Sequence, residues 1–288
     1  MNLILTDRVG NDFTTVAKTI NNDMTTQWRP STNTTTSSRC PEIFASMVAQ
    51  SFYKRVVPSQ SVDVGFSLAT LHHLERYPSL SGPASMSSGM EEHQQALLKE
   101  QADQDLHKFL CLRAQEFRLG GYLVLSFVGQ SSTAETRNYP GLVDACRQAI
   151  VRLVKEGRVP PGAADAFRVP TYDRTVEDVK ASLGAVRSVW TVERLFEEEI
   201  VHPAYEIFRT LGSDEEASVH YADSVVDWMM AVISGYFVKA LQVAGVHDPA
   251  AQNGLLEAWG SLTKAVFLQE HQDEKVSCSF IYVKLVRV

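Results

Sequence analysis

Residues 50–78 read QSFYKRVVPSQSVDVGFSLATLHHLERYP, and the middle of this run decides the fold. Val62, Val64 and Phe66 alternate with small or polar residues over 61–67, the period-two pattern of a strand. The turn-like segment beyond it carries two adjacent histidines, His72 and His73. In an open α/β sheet, ligands bind outside the carboxyl ends of the strands, so residues just past Ser67 are where chemistry is expected. The residues alone leave two readings for the pair. Histidines in an apolar turn are more often buried and hydrogen-bonded than used as ligands or bases, and both uses stay open here.

Working outward, Leu3 to Leu5 reads as a short strand ending at Thr6 and Asp7, followed by a helix capped by Asn11 and Asp12 and running through Ile20. Residues 21–38 are rich in Thr, Ser and Asn and read as a surface loop, with the next strand over 42–47. A Ser/Gly/Pro-rich stretch, 79–90, reads as a second loop and a flap over the crevice. Helical spacing of Leu98, Ala102, Leu106, Phe109, Leu110 and Phe117 follows, with Gly120 and Gly121 expected to stop that helix. Residues 122–128 are a near-continuous apolar strand of the kind buried on both faces. A helical section, 140–157, and the Pro-punctuated FRVPTYDRTVEDV, 167–179, read as an inserted cap. Strand character returns over 186–192. A capping box of Ser213 with Glu216 and apolar helices over 223–243 and 254–269 come next, and VSCSFIYVKLVRV ends the chain as a strand inside the sheet. Strands alternating with helices argue for a doubly wound α/β sheet with a helical cap, and there are no internal repeats.

At 288 residues the chain is long enough for one large α/β domain or a domain with a sizeable insertion. A net charge of -7 and the lack of a basic cluster argue against a nucleic-acid surface. Cys40, Cys111, Cys146 and Cys278 are widely spaced, without the spacing of a zinc site or a disulfide framework, which fits a reducing compartment. MNLILTDRVGNDF has no signal-peptide pattern and no stretch reads as a membrane span, so the expected location is cytoplasmic and the Asn33-Thr34-Thr35 sequon is expected to be idle.

Four blocks in order then resemble the SABATH family of carboxyl and N-methyltransferases: LILTDRVGNDF (3–13), SFYKRVVP (51–58), FLCLRAQEFRLGGYLVLSFVG (109–129) and DAFRVPTYDRTVEDV (165–179). The resemblance implies a class I methyltransferase Rossmann-like sheet with a helical cap, and S-adenosyl-L-methionine as cofactor. It divides the chain into an incomplete cofactor-binding region over 1–131, a cap over 132–184 and the rest of the sheet with added helices over 185–288. It implies that Asp7 accepts hydrogen bonds from the ribose, that Ser51 and Phe52 line the adenine, and that Ser67 passes the methionine part. The substrate is a small molecule, a homodimer is allowed, and neither nucleic acid nor membrane is implied.

The departures from the family pattern matter as much. The first recognisable strand corresponds to the family's second, and no GxGxxG-like run replaces the missing glycine loop; an in-frame strand and loop are expected upstream of Met1. In the family's sheet that first strand lies between the second and fourth, so two strands here are expected to lack a neighbour. The family's clamping tryptophan after the fourth strand falls at His73, and a second one in the cap falls at Val143. His72, His73 and Val143 are therefore the candidate substrate-pocket residues, and either histidine is a candidate base for an amine or phenol acceptor. The family's magnesium-associated D-x-F-N reads Asp165-Ala166-Phe167-Arg168, and a guanidinium there opposes a divalent cation, so no metal is expected. A methyltransferase is one reading; a catalytically silent homologue that binds a metabolite or a partner chain is the other. A hydrolase lacks its G-x-S-x-G elbow.

Overall fold

The computed structural model describes residues 1–26, 43–78, 88–132, 138–211 and 215–288. Cys40, the sequon and the predicted Ser213 cap lie outside them, as do most of the two predicted loops.

Two sheets carry the architecture. β1 (Asn2–Asp7) and β2 (Phe44–Ala49) form a parallel pair, joined through α1 (Phe13–Thr26). Asp12 caps α1 by accepting the Thr14 and Thr15 amides, both at 3.0 Å; the helix runs past the expected end at Ile20. The second sheet has the order β3-β4-β6-β5. β3 (Val62–Leu68) is parallel to β4 (Phe117–Gly129), while β6 (Ser277–Arg287) is antiparallel to both β4 and β5 (Trp190–Val201). The terminal strand thus lies inside the sheet, as its composition predicts. Among the described residues β1 pairs only with β2 and β3 only with β4.

Two boundaries correct the sequence reading. α2 (Ser88–Glu116) gives way to β4 without a turn, so Gly120 and Gly121 lie inside the strand instead of ending the helix. The register to β3 slips between Val62 and Val64, and Gly120 takes up the irregularity at φ +77°, a conformation glycine adopts without strain. At the other end, Val186 closes α5 (Val176–Ala185), and the Val189 and Trp190 amides donate back to its carbonyl, so β5 starts only at Trp190.

α5 and α2 cover one face of the larger sheet, where Leu106, Phe109, Leu110, Val179 and Leu183 join Leu125, Phe127, Ile281 and Val283 in one core. A second core is purely helical. It joins α3 (Pro140–Lys155) and α4 (Pro161–Ala166) with α6 (Pro203–Leu211), α7 (Glu215–Val243) and α8 (Pro249–Glu270) around Trp259, Phe237, Phe267 and Tyr221. By length and composition α7 meets the test for a membrane span, with an 18-residue window of mean hydropathy 1.3, against the expectation that none would. Its apolarity serves this core, because eleven of its side chains from Ala217 to Leu241 are buried.

Candidate functional site

The carboxyl end of β1 places Asp7 in solvent, and its main-chain carbonyl accepts the Gln50 amide at 2.8 Å. Its Oδ1 accepts the Arg8 amide at 2.6 Å and its Oδ2 accepts Asn11 Nδ2 at 2.9 Å. These bonds orient the carboxylate, and each oxygen keeps a further lone pair for a donor such as a hydroxyl.

Residues 51–58 are lashed to the end of α2. Buried Glu116 accepts the Val56 amide at 2.7 Å, and Arg113 both pairs with Glu116 at 2.7 Å and donates to the Lys54 carbonyl at 2.7 Å. The Ser51 hydroxyl accepts the Tyr53 amide at 3.2 Å, which leaves its own hydrogen free to donate. Phe52 is half-buried, its ring tilted against Tyr53 at 4.5 Å and edge-on to Phe109 at 6.1 Å, so at least part of it serves the α2 core. Tyr53 then donates its hydroxyl to the His73 carbonyl at 2.8 Å, tying this segment to the histidine turn.

That turn follows β3. The Ser67 and Thr70 hydroxyls pair at 2.7 Å, and the His73 amide donates to the Thr70 carbonyl at 3.0 Å. His72 is buried, at 8% exposure, with its Nδ1 unpartnered among the described residues. Burial, followed by the charges of His73 and Arg174, pushes its pKa down to about 3. His73 is half-buried, 4.3 Å ring to ring from His72, and its Nδ1 lies 3.2 Å from the Tyr236 hydroxyl on α7. Its pKa is also lowered, by burial first and then by the charge of Arg8. Residues 50–53 join the two strand ends: the Gln50 amide bonds the Asp7 carbonyl at the tip of β1, and the Tyr53 hydroxyl bonds the His73 carbonyl in the turn after β3.

Residues 170–174 hold the turn from the far side. The Leu74 amide donates to Pro170 at 2.7 Å and the Tyr172 amide to His72 at 2.9 Å. Arg174, fully buried, donates to the carbonyls of Leu71 at 2.5 Å and Ala102 at 2.6 Å, its guanidinium 5.6 Å from the centre of the Phe127 ring. Tyr53, Arg174 and Tyr236 are the residues the sequence reading missed. Tyr53 and Arg174 sit inside blocks it singled out; Tyr236 is brought in from a helix with no local signal.

Val143 is exposed on α3, one turn from Tyr139, whose ring meets Trp228 of α7 edge-on at 5.5 Å. Asp165 and Arg168 are both exposed, and Arg168 turns back onto the Phe167 carbonyl at 2.7 Å. Elsewhere, Asp144, Glu270 and His271 converge within 4.8 Å, but Gln148, Arg147 and Arg152 already donate to the two carboxylates. A polar hollow of about 550 Å³ beside Glu75, Gln101 and Asp105 is likewise lined by groups that bond one another.

Residues 1–251 match the model of a family described as SAM dependent carboxyl methyltransferase. Methyltransferase FUS9 of Gibberella moniliformis is 44% identical over 291 residues, spanning 100% of this chain and 78% of that protein. O-methyltransferase acrG of Aspergillus aculeatus is 43% identical over 298 residues, spanning 100% and 76%. Among solved structures, loganic acid methyltransferase with SAH superimposes at a TM-score of 0.67 with 22% identity, over 99% of this chain and 73% of that one, a likeness of fold.

Proposed function

The chain belongs to the S-adenosylmethionine-dependent carboxyl methyltransferase family, and from that premise we propose that it methylates the carboxylate of a small molecule in the crevice between Asp7 and His73. The observation that carries this reading is that residues 50–53 join the tip of β1 to the turn beyond β3, the Gln50 amide donating to the Asp7 carbonyl and the Tyr53 hydroxyl to the His73 carbonyl, both at 2.8 Å. Two strand tips meeting across a cleft make the ligand site of an α/β sheet.

The side chains present fit the cofactor. Asp7 offers an oriented, solvent-facing carboxylate for ribose hydroxyls, and Ser51 keeps a free hydroxyl hydrogen for the adenine edge. Ser67 lies at the end of β3, where the methionine part would pass. When bound, the cofactor supplies an electrophilic methyl group on a sulfonium. The acceptor carboxylate is already ionised at neutral pH, so the protein has to align it and needs no base. With the Tyr236 hydroxyl donating to Nδ1, a neutral His73 carries its proton on Nε2 and presents a donor to that carboxylate.

Isothermal titration with S-adenosylhomocysteine tests the cofactor half. Micromolar binding is expected, weakened about tenfold by Asp7→Asn with an unchanged circular dichroism spectrum. Transfer of labelled methyl groups to a panel of carboxylic acids, lost in His73→Ala, tests the acceptor half. No binding heat would leave a chain that does not use the cofactor, and the proposal would fall.

A further inference from the structure

The side of α7 that meets His73 carries large apolar groups in solvent. Trp228 is 36% exposed and Val232 41%, and Tyr236 follows at the same four-residue spacing, which stacks all three in one column on a helix. At 1.5 Å per residue the column is about 12 Å long. One end is polar and cationic: the Tyr236 hydroxyl lies 3.2 Å from His73, and Lys239 holds its ammonium 5.8 Å from the centre of the Tyr236 ring. The other end is apolar and held in place, with Trp228 edge-on to Tyr139 at 5.5 Å and tilted against His202 at 5.5 Å. Val143, itself exposed, sits one turn along α3 from Tyr139. The nearby acidic groups of α7 point into other work, since Asp223 and Asp227 both pair with Lys264, at 3.0 and 2.9 Å. An anionic head at His73 and an apolar tail along the column match this gradient in order and in sign.

We propose that the Trp228–Val232–Tyr236 column is the rail for the body of the acceptor, so that the site selects an elongated apolar carboxylic acid over a compact one. This rests on the reading of the crevice as the acceptor site. It also supplies from α7 the flat apolar surface that a polar imidazole at His73 and a small side chain at Val143 do not. A tail laid on the rail buries methylene groups one after another, each tightening binding roughly three- to fourfold until the rail ends at Trp228.

Isothermal titration of the full 288-residue chain with butanoate, hexanoate and decanoate, below micelle-forming concentrations and without cofactor, reads this directly. Affinity is expected to climb with chain length in the native protein. Trp228→Ala should lose at least tenfold for decanoate and leave butanoate unchanged, while Trp228→Leu keeps most of the gain and shows that the fold is intact. Ile207→Ser, at an exposed apolar site on α6, should keep the full chain-length dependence. A flat dependence, or the same slope in Trp228→Ala as in the native chain, would overturn the rail. The titration needs no methyl transfer, so a preserved slope in a chain that does not bind cofactor would fail the catalytic reading alone. Methyl transfer with a flat slope would fail the rail alone.

Discussion

The two halves of the molecule are built from similarly apolar segments and treat them in opposite ways. In the helical core and between β4 and β6 the inward side chains are enclosed: Trp259 is fully buried with its indole donating to the Cys146 carbonyl at 3.0 Å, and Leu125, Phe127, Ile281 and Leu285 are sealed between sheet and helices. On β3 the outward residues Val64, Phe66 and Leu68 are 52%, 68% and 54% exposed, and Phe44 on β2 and Ile4 on β1 are also in solvent. An alternating apolar strand marks a capacity for burial. Whether the capacity is used depends on which strands and helices lie alongside, and β1 and β3 each have one strand neighbour among the described residues.

The comparison breaks or holds most plainly in a pair of truncations. Trp259→Ala removes a packed indole together with its hydrogen bond, and should cost about 3–5 kcal/mol, read as a lower urea midpoint at constant slope. Phe66→Ala should change stability by less than about 0.5 kcal/mol, because little contact is lost. Equal losses would mean that the exposed face of β3 is covered in solution.

A smaller effect is expected where the halves are sewn together. Among the described residues Arg174 has no carboxylate partner within bonding distance; its two short bonds go to carbonyls of the histidine turn and of α2. Arg174→Ala leaves the Leu71 carbonyl buried without its donor, takes a second bond from the Ala102 carbonyl of α2, and should cost about 2–4 kcal/mol. Hydrogen exchange should quicken first at the Leu74 and Tyr172 amides, which close the turn against residues 170–172. Arg174→Lys keeps the charge but loses the two-pronged fork, and should recover less than half of the loss. Uniform loss of protection across the sheet, with no excess at those amides, would show that Arg174 supports the core and not the turn.

What was legible in the chain follows the same division. β3 and β6 announce themselves by alternation and β-branched density, and Asp7 by standing at the tip of an apolar run. The glycine pair misled because a glycine after a helical run is the usual stop signal, whereas Gly120 serves a strand irregularity visible only once β3 is beside it. Val186, Val189 and Val192 look like a strand; the capping turn of α5 takes the first two. Arg174 bonds a carbonyl 103 residues away and Tyr236 a ring 163 residues away, distances at which no local pattern carries a signal. Position in a family block pointed to His73; the folded chain supplies its partner.

The histidine pair gives the finest test, since its members lie next to each other and on either side of the divide between core and crevice. His72 is held neutral by burial, with a pKa near 3 in the folded chain against about 6.5 for an unperturbed histidine. Below pH 6.5 the unfolded chain binds a proton that the folded one refuses, so the stability contributed by the neutral ring is complete above pH 6.5 and is lost as pH falls toward 3. Between pH 6.5 and pH 5, above the range where most carboxylates titrate, His72 alone should remove about 1–2 kcal/mol. His72→Gln should flatten that slope. His73→Gln should flatten it less, because a half-exposed ring sheds less of its hydration on folding. Urea midpoints at both pH values for the two variants separate the residues, and a larger flattening in His73→Gln would place the buried member of the pair at 73 instead of 72.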